Sequence, residues 1–358
     1  MISLKIALLI SSLSDGGAER VTCNLANYLS DYDNDVTIIT MSDIDDTYPV
    51  NSEIKRYYLL TKKNSKNFIY NNFLRYKRLK QFLLNNDEID CYITMLPIPS
   101  FMLMKLKKYT RAKIVYAERN NPKSYAIYKQ IMMKYIQGKC DGLVVQTKVI
   151  GQWYKSKNMI IIPNAINKEF LTNKDRKNIK NKIVSVGRLE KQKNYPMLIK
   201  AFSLFLDNNP DYTLEIYGKG SLYEHLKIIA SDLKIADKVI FKGYTKNIID
   251  SISDAKMFVM TSDFEGMPNA LIEAMCLGVP CISTDCDGGG AQELIKNNVN
   301  GILINKNDVE SLVQSMERIA SNKEFAKDLS GNSILLREEL SFEKIYCRWL
   351  QFIKRICE

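Results

Sequence analysis

Short apolar runs rich in β-branched residues alternate with amphipathic stretches along the whole chain. In the first half the runs Lys5–Ser11, Val36–Met41, Cys91–Met95, Lys113–Tyr116, Leu143–Gln146 and Met159–Ile162 read as strands. In the second half Ile183–Val186, Thr213–Tyr217, Val239–Lys242, Met257–Met260, Pro280–Ser283 and Gly301–Ile304 do the same. Helical patterns lie between them, as at Glu19–Leu29, where Val21, Leu25, Tyr28 and Leu29 share one face. Strands that are apolar on both faces and alternate with helices predict parallel sheets with right-handed crossovers. The polar segment Asn167–Asn181 divides the halves and reads as a linker. Helical stretches at Asp308–Ser321, Glu324–Leu340 and Phe342–Cys357 close the chain. The expectation is an α/β protein of two doubly wound domains, 1–170 and 181–341, facing each other across a cleft. Ligands in such sheets bind outside the carboxyl ends of the strands.

A length of 358 residues agrees with two domains of ordinary size. No apolar run reaches the ~20 residues that a membrane span needs. Leu4–Leu13 is short and runs directly into DGGAER, so it reads as a buried first strand and not a signal peptide. The eight cysteines include no C-x-x-C pair, and the single histidine, His225, is distant from them in sequence. Free thiols in a cytoplasmic protein fit better than a zinc site or a disulfide framework.

The net charge of +11 is unevenly spread. Between Asn51 and Lys80 there are nine Lys or Arg and one acid, interleaved with apolar and aromatic residues as in FIYNNFLRYKRLKQFLL. The stretch FMLMKLKKYTRAK, Phe101 to Lys113, repeats the mixture. Either patch alone is an ordinary solvated helix face. Two in one half point to an anionic membrane surface or a lipid diphosphate. Nucleic acid is not the expected partner, because no nucleic-acid-binding motif accompanies the charge.

Candidate chemistry sits at the ends of expected strands. After the first comes Ser14-Asp15-Gly16-Gly17-Ala18-Glu19-Arg20, where paired glycines and a helix N-terminus suit either a close-lying anion or a plain tight turn. It lacks the third glycine of a dinucleotide fingerprint. The first strand of the second half is followed by Gly187-Arg188-Leu189-Glu190-Lys191-Gln192-Lys193-Asn194. Arg188 and Lys193 there suit a diphosphate whose charge grows as a glycosidic bond breaks, or form a solvated cluster. Gly218 and Tyr244 follow the next two strands, Tyr244 where a nucleobase would stack or bond to backbone. His225 reads as a surface residue.

The stretch DFEGMPNALIEAMCLGVPCIST is the most pointed signal. It sets Glu265 on a loop after a strand, then Gly266, Met267, Pro268 and Asn269, and Glu273 on the following helix. An acid, a flexible turn and a helix N-terminus suit a sugar nucleotide, with amides for phosphate and carboxylates for hydroxyls. Asp285-Cys286-Asp287 forms a D-x-D, which chelates a metal in other transferase architectures. It comes late in the chain where Arg188 and Lys193 already supply positive charge, so no metal site is expected. Gly288-Gly289-Gly290 reads as a loop close to the ligand.

The series GGAER, VGRLEKQKN, YGKG, FKGY and EGMPNALIEAMCLGVPCIST resembles the retaining glycosyltransferases of glycosyltransferase family 4. Glu265 and Glu273 match that family's E-x7-E signature. The resemblance implies the GT-B fold, two Rossmann-like domains with the final helix, 342–358, returning to the first. It implies that Glu265 meets hydroxyls of the donor sugar, Glu273 the ribose, and Arg188 and Lys193 the diphosphate. Gly16 and Gly17 would border donor and acceptor, and amides of Gly266 to Asn269 would position the sugar. No metal or other cofactor is implied. The first half lacks the histidine that many members place near the sugar. It carries instead Glu118-Arg119-Asn120 after a strand, similar to members that move N-acetylhexosamines onto polyprenyl-diphosphate-linked sugars. Glu118 or Arg119 becomes a candidate for substrate contact in its place.

Two glutamates also suit a glycosidase, but a hydrolase has no use for a diphosphate cradle. A dehydrogenase would need the missing fingerprint, and a non-catalytic basic membrane- or nucleic-acid-binding protein leaves the second half unexplained. The expected reaction is retaining, metal-independent transfer of a sugar from a UDP-sugar donor, with N-acetylgalactosamine or another hexosamine or hexose as the best guess. The expected acceptor is a polyprenyl-diphosphate-linked saccharide of bacterial O-antigen or capsule synthesis, met at the inner face of the plasma membrane. A soluble or protein acceptor is the alternative.

Overall fold

The computed structural model describes residues 3–14, 16–61, 67–171, 176, 178–245 and 247–358. The chain forms two compact units. One comprises the chain up to Ala165 together with Ile345–Glu358, and the other is Ile166–Lys344.

The first unit is built on a seven-stranded sheet of β1 (Lys5–Ile10), β2 (Asp35–Thr40), β3 (Lys55–Tyr58), β4 (Cys91–Met95), β5 (Lys113–Ala117), β6 (Gly142–Val145) and β7 (Met159–Ile161). The strand order is β3-β2-β1-β4-β5-β6-β7, and every pairing is parallel. β4 and β6 are buried along their whole length, which is why they read as uninterrupted apolar runs. β3 was not expected from the sequence. Its KRYY has no apolar run, and it forms by pairing at the sheet edge, with Thr37 to Thr40 opposite Lys55 to Tyr58. The core beneath the sheet joins Leu9, Ile39, Tyr92 and Val145 to Leu79, Leu83, Leu103 and Ile136 of the covering helices.

The helix Phe342–Cys357 belongs to this unit over most of its length. Ile345, Tyr346, Trp349, Phe352 and Ile353 are buried on one face, at the spacing of an amphipathic helix. Tyr346 packs against Tyr28 with ring centroids 5.6 Å apart, and Arg348 donates to the Ile161 carbonyl at 2.5 Å. A side chain at Gly142 would strike the Phe352 ring at 3.0 Å, so that glycine permits the helix to lie close to β6.

The second unit has six strands, β8 (Lys180–Val186), β9 (Thr213–Tyr217), β10 (Val239–Gly243), β11 (Ala255–Met260), β12 (Cys281–Thr284) and β13 (Ile302–Ile304). They are all parallel, in the order β10-β9-β8-β11-β12-β13. Numbered within the unit this is 3-2-1-4-5-6, the order of dinucleotide-binding doubly wound sheets, with the reversal between β8 and β11. Part of the expected linker, residues 172–175 and 177, lies outside the described residues. Arg176 within it is fixed to the second unit, donating to the carbonyls of Ser253 at 3.1 Å, Gly278 at 2.9 Å and Ala255. The expected single helix Glu324–Leu340 is broken into Lys323–Ser333 and Leu336–Glu339.

Candidate functional site

In the second unit the expected donor residues gather at the carboxyl ends of β8, β9, β10 and β11. β8 ends at Val186 and gives way to Gly187-Arg188-Leu189-Glu190, then a 3-10 turn Lys191–Lys193. Asn194 adopts the left-handed conformation, φ 48°, and opens the helix Tyr195–Leu206. Backbone bonds lace this loop to the next strand end: Gly187 N to Tyr217 O at 2.9 Å, and Leu189 N to Lys219 O at 2.9 Å. Gly218 N in turn donates to Gly243 O at 2.8 Å. The Glu190 carboxylate accepts from Ser221 N at 2.9 Å and Ser221 Oγ at 2.8 Å, and these bonds hold its pKa below the usual carboxylate value.

Across the strand-order reversal, the β8 loop is tied to the loop after β11. Gln192 donates through Nε2 to the Phe264 carbonyl at 2.7 Å, and its own carbonyl accepts from Asp263 N at 2.8 Å. Thr261 Oγ1 donates to the carbonyls of Lys193 and Asn194 at 3.0 and 3.1 Å. At the centre Lys193 Nζ lies 2.5 Å from Glu265 Oε1, with both side chains largely shielded, and Ser262 Oγ donates to the same oxygen at 3.0 Å. The pair spans the point where a doubly wound sheet holds its ligand. Arg188 is exposed beside it, 3.5 Å from Gln192 Oε1. Sequence reasoning passed over Gln192, Asn194, Thr261 and Ser262. Gln192, Asn194 and Thr261 tether segments roughly seventy residues apart, which no local pattern reveals, and Ser262 holds Glu265 from within its own loop.

Gly266, Met267 and Pro268 are buried, and the helix Asn269–Cys276 follows with Pro268 as its cap. Glu273 lies on that helix and is only 5% exposed. The triple glycine packs on this segment. A Cβ on Gly290 would lie 1.8 Å from the Gly266 carbonyl oxygen, so the expected ligand-facing loop serves first to let two backbones touch. Asp285 accepts from Gln292 at 2.7 Å and Asp287 pairs with Lys306 at 3.0 Å. Among the described residues no group of three or more His, Cys, Asp or Glu side chains is placed to hold a metal ion. Tyr244 is 54% exposed at the end of β10, and His225 is exposed on its helix.

In the first unit Gly16 caps the helix Gly17–Asp31. The Glu19 carboxylate folds back over it, so close that a Cβ on Gly16 would meet Glu19 Oε2 at 2.0 Å. Glu19 stands third in the helix, where a glutamate reaches back to the cap, and burial raises its pKa. The Glu19 carboxylate thus lies over the Gly16 end of this helix, where either a close-lying anion or a plain tight turn was expected.

Glu118 follows β5 and is 1% exposed. Its Oε2 accepts from Tyr116 OH at 2.7 Å and Tyr154 OH at 2.6 Å, and its Oε1 from the amides of Arg119 and Asn120, both at 3.0 Å. Burial raises the Glu118 pKa against these four bonds, which favour the ionised form. With both oxygens occupied, the expected substrate-contacting carboxylate instead fixes the Glu-Arg-Asn turn. The Arg119 guanidinium bonds Asn164, which also accepts from Gln146 at 2.7 Å, and burial lowers the Arg119 pKa to about 10.

Both halves match glycosyltransferase domains. Residues 15–170 match the model for Glycosyltransferase Family 4, and residues 167–335 that for Glycosyl transferases group 1. The chain belongs to this glycosyltransferase family. An uncharacterized glycosyltransferase of Haemophilus influenzae is 29% identical over 96% of this chain and 98% of its own. An alpha-1,4-N-acetyl-D-galactosaminyltransferase of Campylobacter jejuni, named for the acceptor GalNAc-alpha-(1->4)-GalNAc-alpha-(1->3)-diNAcBac-PP-undecaprenol, is 26% identical over 99% of each chain. Among solved structures, a sucrose-phosphate synthase from Thermosynechococcus elongatus superposes with a TM-score of 0.85 at 17% identity, covering 99% of each chain. Anabaena HepE in complex with UDP and glucose does so with a TM-score of 0.82 at 15% identity, covering 98% of this chain and 99% of that one. The fold is GT-B.

Proposed function

We propose that this glycosyltransferase moves a hexosamine or hexose, with N-acetylgalactosamine as first choice, from a UDP-linked donor onto a saccharide carried on polyprenyl diphosphate. The stereochemistry at the anomeric carbon is retained and no metal takes part. The observation that carries this reading is the Lys193–Glu265 pair, set across the strand-order reversal of a domain that matches a glycosyltransferase model. The choice of sugar and acceptor is supported by the Campylobacter relative's name and by the Glu118-Arg119-Asn120 segment.

In this mechanism the UDP diphosphate lies at the end of β8, against the Lys193 ammonium and the exposed Arg188 guanidinium. Glu265 Oε1 holds Lys193 in place, and Oε2 accepts from donor sugar hydroxyls. Tyr244 meets the base, the Gly266–Asn269 segment the sugar, and Glu273 the ribose. The acceptor hydroxyl attacks from the face that the diphosphate leaves, and the departing phosphate takes its proton. Arg188 and Lys193 stabilise the charge that grows on that phosphate, and a fixed cation in a shielded site is worth far more than one in water. In the first unit Glu118 positions the turn that carries Arg119 and Asn120, and does not touch the reacting atoms. Contact with the acceptor is made by docking on an anionic cytoplasmic leaflet, a reading supported by the exposed Ile69 and Phe73 on the basic helix Phe68–Asn85. No helix among the described residues is long and apolar enough to cross a membrane.

The test is a mass-spectrometric screen of UDP-sugars with a short-chain lipid-diphosphate saccharide, run with and without EDTA. The expected outcome is one product with an α linkage, formed equally in EDTA. Loss of activity in EDTA would reject the metal-free mechanism, and activity only on soluble sugars would reject the lipid-linked acceptor.

A further inference from the structure

Three helices of the first unit, Phe68–Asn85, Pro97–Leu106 and Ile127–Gln137, carry features that the donor chemistry leaves unused. The first buries Leu79, Phe82 and Leu83, yet holds Ile69 and Phe73 in solvent at 80% and 65% exposure. Between the first two helices lies a cavity of about 470 Å³, a size ordinary for small-ligand sites. Met41, Ile44, Phe68, Ile98, Phe101 and Met102 give it a mainly apolar wall. Ser11 and Ser42, just past the ends of β1 and β2, place it on the side of the sheet where ligands bind.

Two cations line this wall, and none of the described lining residues is acidic. Arg75 is fixed by three neutral partners: Nε donates to the Met41 carbonyl at 3.1 Å, one terminal nitrogen to Asn72 Oδ1 at 2.9 Å, and the other to Ser42 Oγ at 2.9 Å. Among the described residues no carboxylate forms an ion pair with it. Lys105 stands at the rim, 5.3 Å from the Phe101 ring centroid and 4.7 Å from that of Tyr135. Lys107, in the same basic stretch, is spent on structure, since it pairs with Asp141 at 2.8 Å and bonds the Lys139 carbonyl at 2.7 Å. A guanidinium held without a counter-charge beside an apolar cavity calls for an anion that carries an apolar tail. A nucleotide would set a polar ribose and base against this wall, and inorganic phosphate would leave it unfilled.

We propose that this cavity receives the diphosphate end and first isoprene units of the lipid carrier, with Arg75 and Lys105 on the phosphates. The proposal rests on the lipid-linked-acceptor reading above, and supplies the site that reading lacks.

The test is calorimetric titration of the full chain with farnesyl diphosphate, with inorganic diphosphate and farnesol as the two partial probes. Farnesyl diphosphate should bind at least about tenfold more tightly than either. Met102→Asp and Arg75→Gln should each weaken it by about tenfold or more. Lys105→Gln, at an exposed position where folding is not at risk, should weaken it severalfold, and all three variants should keep the wild-type affinity for UDP. The proposal is overturned if Met102→Asp and Lys105→Gln bind farnesyl diphosphate as the wild type does. It is equally overturned if phosphatidylglycerol vesicles compete it away, which would mark a general headgroup surface. If the chain fails to bind UDP but binds farnesyl diphosphate, the donor assignment falls and the carrier site stands. Transfer to a lipid-linked acceptor unchanged in Met102→Asp would sink the carrier site alone.

Discussion

Gly218→Ala and Gly243→Ala make a matched pair that tests whether the β8 loop must sit where it does. Gly218 follows β9 and Gly243 ends β10, and both have positive φ, 141° and 71°. Alanine at Gly243 would meet nothing within 4 Å, so its cost is backbone strain alone, about 1 kcal/mol. Alanine at Gly218 would place its Cβ 1.9 Å from the Gly187 carbonyl oxygen and 2.8 Å from Gly187 C. To reach even 3.0 Å from that oxygen the two backbones must part by about 1.1 Å, and neither is a flexible side chain that can swing aside. That displacement acts directly on Gly187-Arg188 and breaks the Gly187 N to Tyr217 O bond that aligns the loop. A misplacement of about 1 Å at a charge-stabilising group costs on the order of 100-fold in rate. We expect Gly243→Ala to lose about 1 kcal/mol in urea denaturation and keep its turnover. Gly218→Ala should lose about 3 kcal/mol or more and about 100-fold in transfer, with weakened UDP binding. Equal behaviour of the two variants, or full UDP affinity in Gly218→Ala, would refute the argument that Gly187 and Arg188 must occupy this position.

Other perturbations separate the remaining roles. Lys193→Met and Glu265→Gln should each reduce transfer by about 100-fold or more, and the double variant by much less than the product, because the two side chains act as a unit; additive losses in kcat/KM would dissolve the pair. Glu118→Ala leaves two amides and two tyrosine hydroxyls without their acceptor and should cost about 3 kcal/mol, whereas Glu118→Gln keeps an acceptor and should stay folded and active; an inactive but stable Glu118→Gln would return Glu118 to the reacting atoms. The raised Glu118 pKa means that the native state holds this proton more tightly than the unfolded chain. Its contribution to stability is full below the unfolded value, near 4.5, and is lost as pH rises through the higher native value, so Glu118→Gln should flatten that part of the stability–pH curve. Ile69→Ser with Phe73→Ser should leave the melting temperature unchanged and reduce sedimentation with phosphatidylglycerol vesicles, since both side chains are solvent-exposed; unchanged sedimentation would remove this face from membrane docking.

Much of the fold was legible because both sheets are parallel and covered on each side by helices. Strands such as Cys91–Met95 and Gly142–Val145 must then be apolar runs, and they stand where the pattern puts them. Phe342–Cys357 was equally legible, since a helix that buries one face announces it at every turn. β3 was not, because an edge strand exists by pairing and its side chains need not be apolar. Composition and order alone also placed Arg188, Lys193, Glu265 and Gly266 at strand ends, since strand ends follow directly from strands.

The sequence by itself determined which elements form, their order, and which loops carry glycine and charge, because these depend on neighbours a few residues apart. Only tertiary structure decided what each charge does. Lys193 and Glu265 are 72 residues apart and become a pair because β8 and β11 are adjacent across the reversal. Glu118 and Arg119 look alike as candidates in the sequence, yet burial and two tyrosines fix Glu118 within the turn. Arg75 is one basic residue of a patch in the sequence, and a cation in an apolar cavity once Met41 and Ser42 are brought beside it. A charge takes its energy from the solvent it loses and the partners it gains, and both are set by contacts distant along the chain.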